Sequence, residues 1–502
     1  MKLVTTPQMK QIEKQSDEKG VTYSLLMENA GTALGKNINA LMSMKLCEKA
    51  VFLCGKGNNG GDCYVAARYL KNLGIDVSIA IIFSIPDSGI ARDAYMKMQD
   101  IKVYESRDEI KMAVMKADTI IDGVFGTGFH GDLDENIAVL LNMNKKALRI
   151  AVDIPSGGDA STGSVSEGTF KADYTVTFGF KKVGMTQYPL LSYCGKIITA
   201  DIGIPDDCRT DDYEIHETDD SIIPRFLRDR IPDSHKGTYG TLTCVTGSAV
   251  MPGASILSGM AALRCGGGLV KVTAVRENIP ALAVKIPEAV FVKMKADDDG
   301  FYLAENLGTI LQTCEKSGAV LIGCGLGRTE DTKKLVKSLL KALKCTVVLD
   351  ADGINCICDD KDILNETKAR VILTPHPAEM SRLTGSSVSE IQHDRLGTCL
   401  EFLKKYPETV VVLKGAGTII ASKNEIYVNN TGNPGMSCGG SGDVLSGMTA
   451  SFAAQGTEPF YAAVLAAYMH GKAGDMAAEK LSMYYMQPSD IVGELPALFL
   501  KK

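Results

Sequence analysis

Short apolar runs alternate along this chain with stretches of helical periodicity, and polar, glycine-rich loops join the two. In the first part the apolar runs are residues 50–54, 77–82, 119–121, 150–152 and 174–178. Runs of this kind are typical of strands buried on both faces, and an intervening helix connects two strands in parallel. The pattern therefore predicts an α/β fold with a Rossmann-like, doubly wound parallel sheet.

The same alternation returns in the second part of the chain. Its predicted strands are residues 242–246, 269–273, 319–322, 346–349, 371–373 and 410–413. Its predicted helices are residues 254–264, 332–343, 388–404, 444–454 and 461–477. A chain of 502 residues is too long for one typical core, so more than one domain is expected.

An acidic stretch with little apolar periodicity separates the two parts. Its carboxylates are Asp206, Asp207, Asp211, Asp212, Glu214, Glu217, Asp219 and Asp220. It fits an acidic docking tail less well than a solvated connector. We therefore predict a first domain over residues 1–212, a linker over 213–224 and a second domain over 225–502, with no repeat relating the two domains.

Composition narrows the class of partner and the compartment. A net charge of −6 gives no reason to expect nucleic acid or a membrane surface as a partner. No apolar run is long enough to span a bilayer, and the first residues turn polar too early for a signal peptide. Without an export signal, the 14 cysteines are expected to remain thiols in a reducing cytoplasm. They have no paired C-x-x-C spacing, which favours buried cysteines over a zinc site.

Residues 439–443, Gly-Gly-Ser-Gly-Asp, precede the apolar helical run 444–454. Free N–H groups at the start of a helix attract anions, above all phosphate. A carboxylate at that place repels phosphate, so Asp443 is better explained as a base. It would take the proton of a hydroxyl while the N–H groups hold the phosphoryl group that this hydroxyl attacks. The motif therefore indicates phosphoryl transfer to an alcohol.

Three polar loops follow predicted strands of the first part, with the sequences GKGNNGGD (55–62), DGVFGTG (122–128) and DIPSG (153–157). Because the carboxyl ends of parallel strands share one edge of the sheet, we expect these loops to converge on one crevice. Asn59, Asp122 and Ser156 offer hard oxygen ligands to a cation. Asp153 fits either an acid/base residue or a loop cap.

These loops, together with TFGFKKVG (177–184) and DIGIP (201–205), resemble the NAD(P)H-hydrate epimerase family over nearly all of residues 1–205. The resemblance implies a potassium ion held by Asn59, Asp122 and Ser156, and Asp153 as the acid/base residue. It also implies that the hydrated nicotinamide nucleotide is bound by Asp153 and two loops. The loop residues are Asn58, Asn59, Gly60, Gly61, Asp62, Gly126, Thr127, Gly128, Phe129, His130, Gly131 and Asp132.

Polar loops also follow the strands of the second part. His376 lies between two prolines, and before any family comparison a positioned polar contact and a structural role are equally consistent with it. Lys414 fits either neutralisation of phosphate or capping of a strand. Asp350 and Asp352 follow the predicted strand 346–349 and are assigned no role.

Six segments of the second part occur in the order of one known family: HKGTYG (235–240), TGSAVMPGA (246–254), GCGLG (323–327), TPHPAEM (374–380), KGAGT (414–418) and GNPGMSCGGSGDVLSG (432–447). They resemble the ADP/ATP-dependent NAD(P)H-hydrate dehydratases of the ribokinase-like superfamily over about residues 225–500. The resemblance implies an adenine nucleotide on Lys414, Gly415, Ala416, Gly417, Thr418 and Gly442. It implies the hydrate on Gly253, Gly325, His376 and Asp443.

Together the resemblances imply a bifunctional enzyme that repairs hydrated NADH and NADPH. The first domain would interconvert the R and S hydrates, and the second would dehydrate the S form with ADP and Mg²⁺. Fusion of both domains on one chain favours ADP over ATP, and the resemblance implies a homo-oligomer. Two alternatives remain: a ribokinase-like kinase of a vitamin precursor or sugar alcohol, and a first domain that binds without catalysing.

Overall fold

The computed structural model describes residues 1–210 and 213–500, and the chain divides into two compact units. The first unit is residues 2–215, and the second is residues 216–502 together with Met1. Within the described residues, no helix combines the length and the apolar character that crossing a membrane requires.

The first unit alternates strands and helices. Its strands are β1 (Lys2–Val4), β2 (Lys49–Cys54), β3 (Asp76–Ile81), β4 (Lys102–Tyr104), β5 (Thr119–Gly123), β6 (Leu148–Val152), β7 (Tyr174–Phe178), β8 (Lys181–Lys182) and β9 (Lys196–Ala200). Its helices are α1 (Thr6–Glu18), α2 (Tyr23–Lys45), α3 (Asn58–Asn72), α4 (Gly89–Met96), α5 (Arg107–Lys116) and α6 (Glu135–Leu141). The predicted strands all exist, with ends shifted by at most two residues.

The main sheet of the first unit has the strand order β4-β3-β2-β5-β6-β7-β9, and all neighbours are parallel. The chain starts in the middle with β2, runs outward to β4, and then returns to continue from β5 in the other direction. The strand order therefore reverses between β2 and β5, where doubly wound sheets form a ligand crevice. Apart from this sheet, β1 pairs in parallel with β8.

Both faces of this sheet are covered by helices. Phe52 and Cys54 of β2 pack in the apolar layer that includes residues of α2 and α3. Val51 and Leu53 point the other way, into the layer that includes residues of α5 and α6. Burial on both faces explains why the strand is continuously apolar, and it confirms the predicted doubly wound sheet.

The strands that follow are β10 (Glu214–Glu217), β11 (Thr241–Val245), β12 (Leu269–Val275), β13 (Val290–Met294), β14 (Ala319–Ile322), β15 (Thr346–Leu349), β16 (Val371–Leu373), β17 (Val410–Leu413), β18 (Thr418–Ala421) and β19 (Glu425–Asn429). The helices are α7 (Ile222–Phe226), α8 (Pro252–Arg264), α9 (Ile279–Lys285), α10 (Leu307–Cys314), α11 (Glu330–Ala342), α12 (Asp352–Asn355), α13 (Ile363–Glu366), α14 (Pro377–Thr384), α15 (Val388–His393), α16 (Arg395–Lys405), α17 (Ser441–Ala454), α18 (Pro459–Leu481) and α19 (Pro488–Phe499).

In the second unit, strands β13-β12-β11-β14-β15-β16-β17 lie in that order with parallel neighbours. Strands β18 and β19 extend the sheet in antiparallel fashion. The carboxyl ends of β14, β15, β16 and β17 therefore meet along one edge. Helix α17 packs against β14 and β15, which brings its first turn to that edge.

The prediction of a single helix over residues 388–404 is wrong. Residues 388–404 form two helices, α15 and α16, because the chain bends at Asp394. The Asp394 carboxylate accepts a hydrogen bond from the Gly397 N–H at 2.8 Å and so caps the start of α16. A capping Asp in a helical pattern marks a new N-terminus rather than a continuing turn.

The segment predicted as a linker is partly structured. Strand β10 and the start of α7 lie within residues 213–224, and Ile215, Ile222 and Ile223 are buried. The two units divide between Ile215 and His216, inside this segment. The predicted domain end at residue 212, with Asp211 and Asp212, lies outside the described residues.

Candidate active sites

The first unit contains a cavity of about 1150 Å³ at the carboxyl edge of its sheet, beside the reversal of strand order. Loops after β2 and β5 form much of its wall, as the three glycine-rich motifs predict. Of the predicted substrate-binding residues, the lining includes Asn58, Asn59, Asp62, Gly126, Thr127, Gly128, Phe129, Asp132 and Asp153.

Two predicted glycines, Gly60 and Gly61, are instead packing positions in the first turn of α3. A Cβ on Gly60 would overlap the carbonyl oxygen of Gly55, and a Cβ on Gly61 would lie 2.7 Å from the Met27 sulfur. Gly60 lets α3 begin close behind β2, and Gly61 lets α3 pack closely against α2. Because the first N–H groups of a helix have no partner within it, the start of α3 suits an anion.

Among the described residues, His130 and Gly131 are not part of the cavity wall. His130 is exposed, and its Nδ1 lies 2.8 Å from Asp159 Oδ2. Gly131 has a φ of +88°, a left-handed conformation that glycine adopts readily in a turn. The structure thus places these two predicted residues on the rim of the loop rather than in the cavity wall.

The three predicted cation ligands come together around the loop after β5. Ser156 Oγ donates to Asp122 Oδ1 at 2.6 Å, and the Ser156 N–H donates to Oδ2 at 2.8 Å. Asn59 Nδ2 donates to the carbonyl oxygens of Phe125 at 2.8 Å and Val152 at 3.1 Å. Burial raises the pKa of Asp122 to about 6, although hydrogen bonds from Ser156 oppose this shift. The donor set is entirely oxygen, as a hard cation prefers.

Asp153 lies at the end of β6 in a left-handed backbone conformation, with a φ of +64°. This conformation is costly for a residue with a side chain and is found mainly at functional sites. Its Oδ1 accepts hydrogen bonds from Thr177 Oγ1 at 2.8 Å and from the ammonium group of Lys182. Lys182 Nζ also donates to Thr177 Oγ1 at 3.0 Å.

Lys182 is a site residue that the sequence analysis missed. It is 1% exposed and lines the same cavity as Asp153. Lysines in a Lys-Lys pair are usually solvated, whereas this one lies in β8 opposite Val4 of β1 and donates to Thr177 and to the Phe178 carbonyl oxygen.

Two further carboxyl groups line the cavity. Burial raises the pKa of Asp62 well above its ordinary range, and burial also raises the pKa of Glu13 in α1. A raised pKa favours the protonated form, which donates a hydrogen bond instead of repelling an anion. Asp62 is therefore compatible with an anionic ligand, and Glu13 is a second residue that the sequence analysis missed.

In the second unit, Asp443 lies in the first turn of α17, as predicted. The turn into this helix uses Gly440 in a left-handed conformation, with a φ of +99°. Burial raises the pKa of Asp443 to about 7, and the negative charge of Asp350 contributes to the shift. A carboxylate with this pKa suits proton transfer near neutral pH.

Asp350, at the end of β15, is buried and central to this site, although the sequence assigned it no role. It accepts hydrogen bonds from Lys414 Nζ at 2.7 Å and from Ser446 Oγ at 2.6 Å. Cys324 Sγ lies 3.7 Å from its Oδ2 atom. The Cys324 Sγ atom and one carboxylate oxygen from each of Asp350 and Asp443 all lie within 4.8 Å of one another.

Lys414 directly follows β17 and opens the predicted nucleotide loop, which continues through Gly415, Ala416, Gly417 and Thr418. Its ammonium group lies 3.8 Å from Glu379 Oε2. Burial disfavours the charge, but Asp350 and Glu379 together raise the pKa of Lys414. Gly415 and Gly417 have φ values of +142° and +68°, so the loop depends on glycine at both positions.

The loop is also held from beneath by Arg395 of α16, which the sequence analysis missed. Arg395 is buried, and its Nη2 donates to the carbonyl oxygens of Leu413 at 2.9 Å and Lys414 at 3.3 Å. At the facing helix start, a Cβ on Gly442 would lie 3.3 Å from Lys414 Nζ. The predicted nucleotide residues Gly442 and Lys414 are therefore neighbours.

The structure gives His376 a helix-capping role. Its Nδ1 accepts from the N–H groups of Ala378 at 3.1 Å and Glu379 at 3.3 Å at the start of α14, and its ring is about half exposed. Gly325 has a φ of +64°, and a Cβ there would lie 2.8 Å from that of Ala254, next to Gly253. Gly253 and Gly325 are therefore brought together at the start of α8, which packs on α17.

Family models match both halves of the chain. A model described as NAD(P)H-hydrate dehydratase matches residues 242–497, which include the site around Asp443. A model described as YjeF-related protein N-terminus matches residues 24–184, which include the site around Asp153.

Two curated relatives, both bifunctional NAD(P)H-hydrate repair enzymes, match along nearly the whole chain. The relative from Moorella thermoacetica is 36% identical over 99% of this chain and 96% of its own length. The relative from Thermofilum pendens is 35% identical with the same shares covered. Among solved structures, a ribokinase-like superfamily protein from Enterococcus faecalis superposes on 57% of this chain and 96% of its own, with 27% identity and a TM-score of 0.50.

Proposed function

Because this chain belongs to the bifunctional NAD(P)H-hydrate repair enzymes, we propose that its two sites carry out two steps of one repair. The first unit interconverts the R and S hydrates of NADH and NADPH, and the second dehydrates the S form. The proposal rests on the placement of Asp153 and Asp443. Each lies at the carboxyl edge of its own sheet near a lysine, which is Lys182 for Asp153 and Lys414 for Asp443.

In the second unit, the hydroxyl of the hydrated ring attacks the terminal phosphoryl group of the nucleotide. Asp443 takes the hydroxyl proton as the new O–P bond forms, and the N–H groups at the start of α17 hold the phosphoryl oxygens. The bond between that phosphoryl group and the rest of the nucleotide breaks as the new bond forms. Elimination of the installed phosphate, with loss of a proton from the adjacent ring carbon, then restores the double bond of the reduced nicotinamide. Phosphate leaves more readily than hydroxide, which explains why a dehydratase has a kinase-like site.

We assign six residues to the binding of the adenine nucleotide, which is the phosphoryl donor: Lys414, Gly415, Ala416, Gly417, Thr418 and Gly442. We assign ADP as the donor, with Mg²⁺ bound to its phosphates to screen their charge. The hydrate would contact Gly253, Gly325 and Asp443. His376 would contribute through Nε2, which lies 3.3 Å from Glu379 Oε1, since its Nδ1 caps α14.

In the first unit, we assign Asp153 as the acid/base residue of epimerisation. It protonates the departing hydroxyl, and it takes a proton from the water that adds to the other face of the ring. Asn59, Asp122 and Ser156 would hold a potassium ion, because they offer side-chain oxygens around a carboxylate, with Asp122 and Ser156 buried and Asn59 half-buried. The ion would offset the buried charge of Asp122 and order the loop after β5.

Three further properties complete the proposal. The domains would be residues 1–212 and 225–502, joined by 213–224.

All fourteen cysteines are free thiols, which accords with a reducing cytoplasm. Assembly as a homo-oligomer is assigned by family resemblance and is tested by light scattering of the purified protein.

The decisive experiment incubates a mixture of both NADH hydrates with ADP, with ATP, or with neither, and follows the absorbance of reduced nicotinamide. Complete recovery with ADP is expected. Recovery that stops with one epimer left would mean a silent first unit. A phosphorylated product without any return of absorbance would instead support a small-molecule kinase.

Two variants test the assigned residues separately. Asp153→Ala should abolish interconversion of the epimers and leave nucleotide-dependent dehydration of the S form intact. Asp443→Asn should stop dehydration while nucleotide binding and epimerisation persist. Unchanged interconversion in the first variant, or unchanged dehydration in the second, would contradict the corresponding assignment.

A further inference from the structure

A buried carboxylate that the proposed chemistry does not use lies at the centre of the second site. Asp350 is 1% exposed, and Lys414, Ser446 and Cys324 converge on it. Each of these partners comes from a different element: the ends of β14 and β17 and the second turn of α17. A charged group held from three sides in this way has a fixed position, which suits an electrostatic role.

Asp350 faces the two groups on which dehydration depends. Its Oδ1 lies 2.7 Å from Lys414 Nζ, which a Cβ on Gly442 would approach to 3.3 Å. One of its carboxylate oxygens also lies within 4.8 Å of a carboxylate oxygen of Asp443. One side chain therefore fixes the cation at the start of α17 and places a like charge beside the proposed base.

We propose that Asp350 is a positioning residue for dehydration, which holds Lys414 at the first turn of α17 and places a negative charge beside Asp443, the proposed base. The inference rests on the proposed function of the second unit. Without Asp350, Lys414 would lose its closest anionic partner. Asp443 would then be a more acidic and weaker base.

The other charged groups around Asp443 are consistent with this role. Burial raises the pKa of Asp443 most and Asp350 adds to the rise, whereas a hydrogen bond from Cys324 and the charge of Lys414 oppose it, and Asp352 adds a smaller rise. The thiol of Cys324 faces both carboxylates, and burial raises its pKa well above the ordinary range, so it remains neutral. Glu379 and His376 face Lys414 from α14. Asp350 is therefore the main like charge acting on Asp443.

The test compares the pH dependence of kcat/KM for dehydration of the S hydrate in full-length variants. Asp350→Asn keeps the shape of the side chain and removes its charge, so the acid limb should move down by roughly one pH unit. KM for the nucleotide should rise, because Lys414 is less firmly held. Ser446→Ala is the matched control: it removes one hydrogen bond to the same carboxylate and should leave the acid limb in place.

A second variant covers the case in which Asp350→Asn does not fold, as judged by urea unfolding, because epimerisation belongs to the other unit. Lys414→Gln removes the cation between the carboxylates and should move the acid limb to higher pH. An acid limb at the wild-type position in both variants would overturn the inference. Failure of the wild-type protein to dehydrate the hydrate with any nucleotide would instead overturn the proposed function.

Discussion

The ammonium group of Lys182 donates a hydrogen bond to Oδ1 of Asp153, and the lysine side chain is almost completely buried. Asp153 is only 13% exposed, so the two charges compensate each other largely out of water. Breaking such a pair from one side leaves an uncompensated charge, whereas removing both partners does not. The pair is therefore expected to matter both for folding and for the proposed epimerisation.

Replacing Lys182→Met should lower the free energy of unfolding by about 3–5 kcal/mol and slow epimerisation about 10²–10⁴-fold. Urea unfolding and the rate of epimer interconversion measure the two effects. The double variant Lys182→Met with Asp153→Asn should recover most of the stability but none of the epimerisation. If Lys182→Met unfolds like wild type and still interconverts the epimers, the pair has neither role.

The pKa of Asp443, raised to about 7, predicts a pH dependence of dehydration. A base must be deprotonated to accept a proton, so kcat/KM for the S hydrate should fall as the pH drops through about 7. Epimerisation, which uses another site, serves as the internal control in the same samples. A rate of dehydration that stays constant down to pH 5 would exclude Asp443 as the base.

The same shift predicts that Asp443→Asn stabilises the protein. The folded state holds the Asp443 proton up to about pH 7, whereas the unfolded chain releases it near pH 4. Wild-type stability is therefore lost progressively as the pH rises between these values, and the neutral Asn avoids this loss. Urea unfolding at pH 5 and pH 8 should show a larger advantage of the variant at pH 8. An equal advantage at both values would mean that Asp443 is not held in its protonated form by burial.

Much of the fold could be predicted because its strands are buried on both faces and are therefore continuously apolar. Strands such as Ala319–Ile322 and Val410–Leu413 have the predicted bounds for this reason. Sequence periodicity does not reveal where one helix ends and another begins. The bend at Asp394 depends on a side-chain cap, and the pattern of apolar residues continues across it.

The sites were partly predictable for a similar reason. Asp443 directly follows Gly442, and Asp153 opens a short Pro-Ser-Gly loop after an apolar run, so both loops were visible in the sequence. Lys182 and Asp350 were not, because their importance comes from burial against residues distant in sequence. A lysine in β8 or an aspartate after β15 looks the same in the sequence whether it is solvated or buried.

The distance between Gly442 and Lys414 predicts how the nucleotide site responds to one methyl group. Gly442→Ala would place its Cβ 3.3 Å from Lys414 Nζ, so the ammonium group must shift by a few tenths of an ångström away from the start of α17. Weakening a charged hydrogen-bond donor in this way should raise the nucleotide KM by up to about tenfold. Gly493→Ala, on the exposed side of α19 with no atom within 4 Å, is the control. It should gain about 0.5–1 kcal/mol of stability and keep the wild-type KM. A wild-type KM in Gly442→Ala would show that Lys414 does not contact the nucleotide from this position.

The buried carboxylate of Asp122 predicts that potassium stabilises the first unit. An ion that binds only the folded state raises the free energy of unfolding by RT ln(1 + [K⁺]/Kd), which is about 2.7 kcal/mol when potassium is at 100 times its Kd. Thermal unfolding in KCl should therefore show a higher midpoint than unfolding in tetramethylammonium chloride at equal ionic strength. Asp122→Asn keeps the shape of the side chain but removes the charge that a cation offsets, so its midpoint should be the same in both salts. A potassium-dependent midpoint in Asp122→Asn equal to that of wild type would place the ion elsewhere, and a wild-type midpoint unaffected by potassium would remove the ion from the proposal altogether.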